Sequence, residues 1–297
     1  MKHRLPIRLN LFFLLLLFYA LFGHFLWLVL RLFAVVLLHE LGHAVVAYRL
    51  GYRIESIELY PFGGVARITG KHVGWSPRDE VLISISGPLV NLVLALSTIL
   101  VMILGKLSRE MAEPFIEMNF TLLFFNLLPA LPLDGGRIAR AGLSLSRGYE
   151  AATEALTRMS LALSTLLIVF GGVALWLGYP EAGMLILGVF LLVSAISLRR
   201  QNRYDLLRFL DHKRRDSSDT KVLRTLIIDK NTEIGKVASQ FVPEAYHVIY
   251  LKDKHELTND GISTGPLIEE KEVLAAIFDG GMWMEPIHRL LQSHHHM

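Results

Sequence analysis

Residues 32–50 read LFAVVLLHELGHAVVAYRL, and the choice of fold turns on them. The run is apolar enough to lie in a membrane, yet it carries His39, Glu40 and His43. An ionisable side chain at the centre of a bilayer costs about 2.5–3.5 kcal/mol even on the mildest insertion scales, so such residues are kept for function. On a helix, positions four apart share a face. His39 and His43 can therefore aim imidazole nitrogens at one cation, as zinc requires at about 2.0–2.1 Å. Glu40 falls beside that site rather than in it, placed to take a proton from a water held there. Gly42 leaves room for another backbone or a substrate. The plain alternative is a chance His-Glu-x-x-His cluster, and its place inside an apolar span argues against it.

Composition supports a membrane setting. Of 297 residues, 53% are hydrophobic and only 19% charged, where soluble domains carry about 25% charged residues. There is no cysteine, so disulfides and thiolate metal sites are excluded. A net charge of +3 suits loops beside an anionic inner leaflet and gives no ground for nucleic-acid binding. The basic start is followed by no small-residue cleavage site, and further apolar segments come after it, so a removable signal peptide is not expected.

Spans need about 20 apolar residues. On that criterion helices are expected over residues 8–22, 25–50, 80–105, 114–131, 158–177 and 182–198, with a turn at Gly23–His24. Basic residues cluster before the first span, between the second and third, between the fourth and fifth, and after the sixth. The segment GYPEA at 178–182 has none. Positive loops stay inside, which puts both termini in the cytoplasm. The fold class is therefore a polytopic α-helical membrane protein with about six transmembrane helices and a small cytoplasmic α+β domain at the C-terminus. The expected division is a transmembrane domain at 1–200, a juxtamembrane linker at 201–220 and the small domain at 221–297; RRQNRYDLLRFLDHKRRDSSD at 199–219 reads as a juxtamembrane helix ending in a flexible Ser/Asp stretch. In that last part VLRTLIID and YHVIYLKD read as strands, and NTEIGKVASQF and IEEKEVLAAIF as helices.

Two histidines do not complete a catalytic zinc site, and a third protein ligand is expected. The candidate lies in NLLPALPLDGGR, residues 126–137. Pro129 and Pro132 break the fourth helix, and Asp134 follows. A carboxylate on irregular backbone at membrane depth is tolerated where it is buried in protein or lines a wet cavity. Asp134 could instead cap a helix starting at Gly135. Topology favours the ligand, because Asp134 and the His39–His43 segment both fall toward cytoplasmic helix ends.

These residues resemble the site-2 protease family of intramembrane zinc metalloproteases. His39-Glu40-x-x-His43 on one span and Asn126-x-x-Pro129-x-x-Pro132-Leu133-Asp134-Gly135 on a later one match the family's two motifs in order and helical context. PFGG at 61–64 and GPL at 87–89 extend the likeness, and within the family it is strongest to the sporulation proteases. The resemblance implies one Zn2+ per chain, held by His39, His43 and Asp134, with Glu40 as general base. It implies that the C-terminal domain is a single CBS-type module able to bind ATP, and that the protein forms a homo-oligomer. As partners it implies the lipid bilayer, inhibitory or regulatory membrane proteins, and a protein substrate, the precursor of sporulation sigma factor K, in the mother-cell membrane around the forespore.

Two further segments gain meaning beside it. IELYPFGGVARITG at 57–70 alternates apolar and polar residues around Gly63 and Gly64, so it reads as a hairpin dipping toward the membrane. It is an ordinary surface hairpin or a strand edge that holds an extended substrate by β-augmentation. Substrate-binding candidates are Phe62, Gly63, Gly64, Asn126 and Pro132. In SGPLVN at 86–91, Gly87 and Pro88 are expected to serve helix packing, and Asn91 or Asn126 is a candidate hydrogen-bond donor facing the site. Two other classes remain beside proteolysis. An oxygenase or desaturase needs several His-rich boxes, and only one is present. A catalytically silent receptor or transporter of the same fold should tolerate loss of Glu40 or a ligand, and none is missing.

Overall fold

The apolar stretch that opens the chain folds as two helices. In the computed structural model, which describes residues 7–9, 11–60, 63–69, 76–179, 182–215, 222–252 and 267–293, α1 (Leu11–Phe22) ends at a turn and α2 (Leu26–Arg49) begins after it. His24 sits in that turn with φ 59°, a left-handed conformation that histidine adopts more readily than most non-glycine residues. At 1.5 Å per residue α2 is about 36 Å long, enough to cross a hydrocarbon core of about 30 Å. The first helix does not start at residue 8 as expected. Ile7–Leu9 instead forms a strand, β1, whose Ile-Arg-Leu alternation suits an extended chain beside another strand.

After α2 come β2 (Arg53–Tyr60) and β3 (Gly63–Thr69), paired antiparallel, with β1 parallel to β2 in the order β1-β2-β3. Tyr60 pairs with Gly63 and Leu59 with Gly64. The two glycines therefore head the second strand rather than sit at the centre of the turn. Phe62 lies outside the described residues.

The next helices are α3 (Pro77–Ile103), α4 (Arg109–Asn126), α5 (Asp134–Arg147), α6 (Tyr149–Trp176) and α7 (Gly183–Arg215). Of the described helices, α2, α3 and α6 are long and apolar enough to cross a membrane, and Gly183–Arg199 is a shorter apolar stretch. The expected helix at 158–177 begins nine residues earlier, because Gly148 at φ 84° ends α5 and lets the chain restart at once. α5 is the helix that the capping alternative for Asp134 implied, and it was not counted among the six spans.

Then follow β4 (Val222–Asp229), α8 (Ile234–Ala238), β5 (Ala245–Lys252), β6 (Leu267–Glu269), α9 (Glu270–Phe278) and α10 (Arg289–Ser293). β4 lies parallel to β5 and β6 antiparallel to it. Alternate residues of β5, from Ala245 to Leu251, are buried and the others are not, as a strand covered on one face requires.

The chain divides into two compact units. One comprises Met1–His72, Arg78–Ala139 and Met159–Ala195; the other Val73–Pro77, Arg140–Arg158 and Ile196–Met297. These do not follow the expected division at 200 and 220. α7 runs through the expected linker as far as Arg215, and Leu206, Phe209 and Leu210 on its second half are buried in the core of the C-terminal unit with Ile234, Phe241, Ile249 and Ile268. Apolar residues at helical spacing bury one stripe against a sheet-and-helix core, each side chain contributing about 1.5–3 kcal/mol.

Candidate metal centre

The centre is built from α2, α3 and the start of α5. α4 stops at Asn126, and two prolines in the next six residues prevent it from continuing. α5 then begins with Asp134, a carboxylate at the helix end where backbone N–H groups favour negative charge. Gly135 and Gly136 make that start possible. A Cβ on Gly135 would stand 2.1 Å from the Leu127 carbonyl oxygen, and one on Gly136 2.4 Å from the Ala130 carbonyl carbon. Only glycine lets the first turn of α5 press onto the preceding connection, and that pressing fixes the carboxylate.

Three buried donor atoms meet there. His39 Nε2 and His43 Nε2 are 3.1 Å apart, and each is 3.2 Å from Asp134 Oδ2. Their residues are 3%, 6% and 5% exposed. Hydrogen bonding alone does not account for the triangle: if both imidazoles donated to Asp134, two N–H groups would face each other at 3.1 Å. His43 Nδ1 donates to the Ile83 carbonyl at 2.7 Å, which leaves the lone pair of a neutral ring on Nε2. Ser86 Oγ donates to the same carbonyl at 2.6 Å. His39 Nδ1 is buried with no hydrogen-bond partner among the described residues.

The arrangement fits a zinc ion. Tetrahedral zinc with bonds of about 2.0–2.1 Å separates its ligand atoms by about 3.3–3.4 Å, close to the distances found. The donor set, two imidazoles and one carboxylate, suits that metal, and the carbonyl bonded to His43 Nδ1 orients the ring as such ligands require. Glu40 is half-buried on the same turn, with its carboxylate within 4.8 Å of the imidazole nitrogens.

Gly87 of α3 closes the centre. A Cβ there would lie 2.4 Å from His43 Nε2 and 2.6 Å from His39 Nε2. It therefore faces the donor atoms themselves rather than serving helix packing alone, as the sequence led us to expect. The signal was present in SGPLVN, but a glycine in a helix does not announce what it lies against. Gly42 is the packing glycine, its missing side chain admitting Val90 and the Ser86 carbonyl. Asn126 donates its amide N–H to the Leu122 carbonyl at 3.0 Å, back along its own helix. Pro132 is half-buried in the connection leading to Asp134.

Comparison with known proteins adds to this geometry. The model of the peptidase family M50 matches residues 27–109 and 108–168. Stage IV sporulation protein FB of Bacillus subtilis is 28% identical over 248 residues, covering 83% of this chain and 82% of that protein. A zinc metalloprotease of Methanocaldococcus jannaschii is 37% identical over 145 residues, 47% of this chain and 41% of the archaeal one, so the chain spans less than half of that relative. Among solved structures, the site-2 protease from Methanocaldococcus jannaschii superposes with a TM-score of 0.53 at 29% identity, over 66% of this chain and 92% of that one.

Proposed function

Since the chain belongs to peptidase family M50 and is a membrane metalloprotease of the site-2 protease type, we propose that it hydrolyses a membrane-associated protein close to the cytoplasmic face, with His39, His43 and Asp134 as zinc ligands and Glu40 as general base. One observation carries this reading: donor atoms from α2 and α5, 95 residues apart in sequence, converge at 3.2 Å in a buried place. Zinc, when bound, supplies hydroxide near neutral pH and positive charge opposite the developing oxyanion. The three ligands hold it and keep their own side chains fixed. Glu40 takes the proton of the attacking water and passes it to the leaving amine.

A substrate helix hides its main-chain groups and must be extended before hydrolysis. In this reading the edge of β3, which begins with Gly63 and Gly64, receives it as an added strand, and Asn126 and Pro132 are assigned to substrate binding with it, as is Phe62 on sequence alone. Support comes from the sheet order, in which β3 is an outer strand among the described residues.

The full proposal has six spans with both termini in the cytoplasm. Trp27 at the start of α2 and Trp176 at the end of α6 are 76% and 85% exposed, and that topology places both at the outer interface, where tryptophan is enriched. The C-terminal unit acts as a CBS-like, ATP-responsive module that brings copies of the chain together. The likeness to a sporulation protein supports processing of a sigma factor K precursor under the control of membrane partners.

Glu40→Gln tests the mechanism. Purified Glu40→Gln should keep about one zinc per chain and lose cleavage by about 10²–10⁴-fold; a mutant as active as the parent rejects the assignment.

A further inference from the structure

α3 carries two buried polar side chains that the metal centre does not use. Ser84 and Asn91 are 1% and 0% exposed, and neither the Ser84 hydroxyl nor either end of the Asn91 carboxamide has a hydrogen-bond partner among the described residues. Buried polar groups in native proteins are nearly always paired, so an exception needs an explanation. Other helices of the chain show the usual solution. Ser144, Thr153 and Thr157 donate back to carbonyls of their own helices, and Asn119 and Asn126 turn their amide N–H groups the same way. Asn91 does neither.

Its place on the helix is informative. Ser84, Gly87 and Asn91 recur at i, i+3 and i+7, which is one stripe of α3. Gly87, in the middle of that stripe, is the residue that lies against His39 Nε2 and His43 Nε2. Pro88, inside the same helix, has no N–H, so the Ser84 carbonyl loses the intrahelical donor that position 88 would otherwise supply. Other faces of α3 present Leu82, Leu89, Val93 and Leu96 outward. Hydrogen-bonding capacity is thus gathered on the flank that borders the metal ligands, one turn to either side of Gly87.

We propose that this stripe receives the main chain of the substrate: the Asn91 carboxamide exchanges hydrogen bonds with one peptide unit, and the Ser84 hydroxyl with another on the opposite side of the scissile bond. The proposal rests on the proteolytic reading above and adds how the substrate is held. A carboxamide offers donor and acceptor side by side, as a peptide unit does. Ser84 and Asn91 are about 10.5 Å apart along the helix axis at 1.5 Å per residue. That is the length of about three residues of extended chain at roughly 3.3 Å each, which leaves a bond between them facing Gly87. Recognition of this kind reads an extended backbone and tolerates many side chains. A helical segment, with its N–H and C=O groups already paired, gains nothing from it.

The test is Asn91→Leu in the full chain, with Ser84→Ala as the smaller companion. Leucine is close in volume and removes an unpaired polar group. Thermal stability should therefore rise, by about 2–4 °C, while zinc content stays at the parental value and kcat/KM falls by at least about tenfold. A structural amide would lower stability, so a lower Tm or lost zinc overturns the proposal, as does cleavage at the parental rate. A second measurement does not depend on turnover. In a Glu40→Gln background, binding of a fluorescent single-span peptide with a Gly-Pro break near its cytoplasmic end should weaken at least about tenfold on adding Asn91→Leu. Equal binding overturns the proposal even if proteolysis is established, whereas failure of the proteolytic reading shows itself separately, as zinc-loaded wild type that binds this peptide but cleaves nothing.

Discussion

Two buried clusters among the described residues contain histidine and carboxylate, and they are built to opposite ends. In the C-terminal unit Glu270 accepts from Lys213 Nζ at 3.2 Å, from His247 Nδ1 at 2.6 Å and from the His247 backbone N–H at 2.8 Å. Lys213 also donates to the carbonyls of Val242, Pro243 and Ala245, and the Val242 N–H donates to His247 Nε2. Both ring nitrogens of His247 and both oxygens of Glu270 have partners. In the membrane unit the triangle of His39, His43 and Asp134 leaves lone pairs crowded together and one ring nitrogen without a partner among the described residues. A network that satisfies itself fixes a fold. One that does not is waiting for something outside the protein.

The largest effect should come from breaking the triangle. Removing a ligand by His39→Phe or Asp134→Asn is expected to take zinc from about one per chain to nearly none, read by metal analysis of purified protein, while amides of β5 and α9 keep their hydrogen-exchange protection. Unchanged metal content would mean that the ligand set is wrong. Breaking the satisfied network should do the reverse. Glu270→Ala takes the carboxylate from the buried Lys213 ammonium, which keeps its carbonyl acceptors but loses its counter-charge, a change that typically costs about 3–5 kcal/mol. Protection in the C-terminal unit should collapse and zinc stoichiometry should remain.

A subtler contrast is in pH. Burial holds the His247 imidazole below the ordinary histidine range, partly offset by its bond to Glu270, with Lys213 and Arg224 adding to the depression. The unfolded chain then binds more protons than the folded one in the window below the unperturbed value of about 6.5. The C-terminal unit should be fully stabilised above that value and lose stability as pH falls through it. His247→Gln should flatten this dependence in a thermal melt followed from pH 7.5 to 5. An undiminished slope would assign the effect to other groups.

Legibility in the sequence followed the range of the forces involved. The α2 helix, its histidine pair and the following glutamate could be read directly, because apolar length and a four-residue spacing are local. Asp134 was visible as a carboxylate after two prolines, but whether it capped a helix or faced a metal depended on α2. It does begin a helix, and its oxygen also meets both imidazoles. β1 and β6, three residues each, were missed because so short a strand exists only by pairing with a neighbour. The second half of α7 read as a juxtamembrane helix, and what its charges hid was a buried stripe whose partners, from Tyr149 to Leu290, lie far away in sequence.

By itself, then, the sequence determined a membrane protein with a helical His-Glu-x-x-His segment and a separate small α+β part, since composition and periodicity act within one element. The tertiary structure decided that Asp134 joins the histidines, that Gly87 lies against their nitrogens and that Asn91, one turn along α3 from Gly87, finds no hydrogen-bond partner among the described residues. Those outcomes depend on which faces of distant helices meet. A one-dimensional pattern names the faces, and only packing chooses their partners.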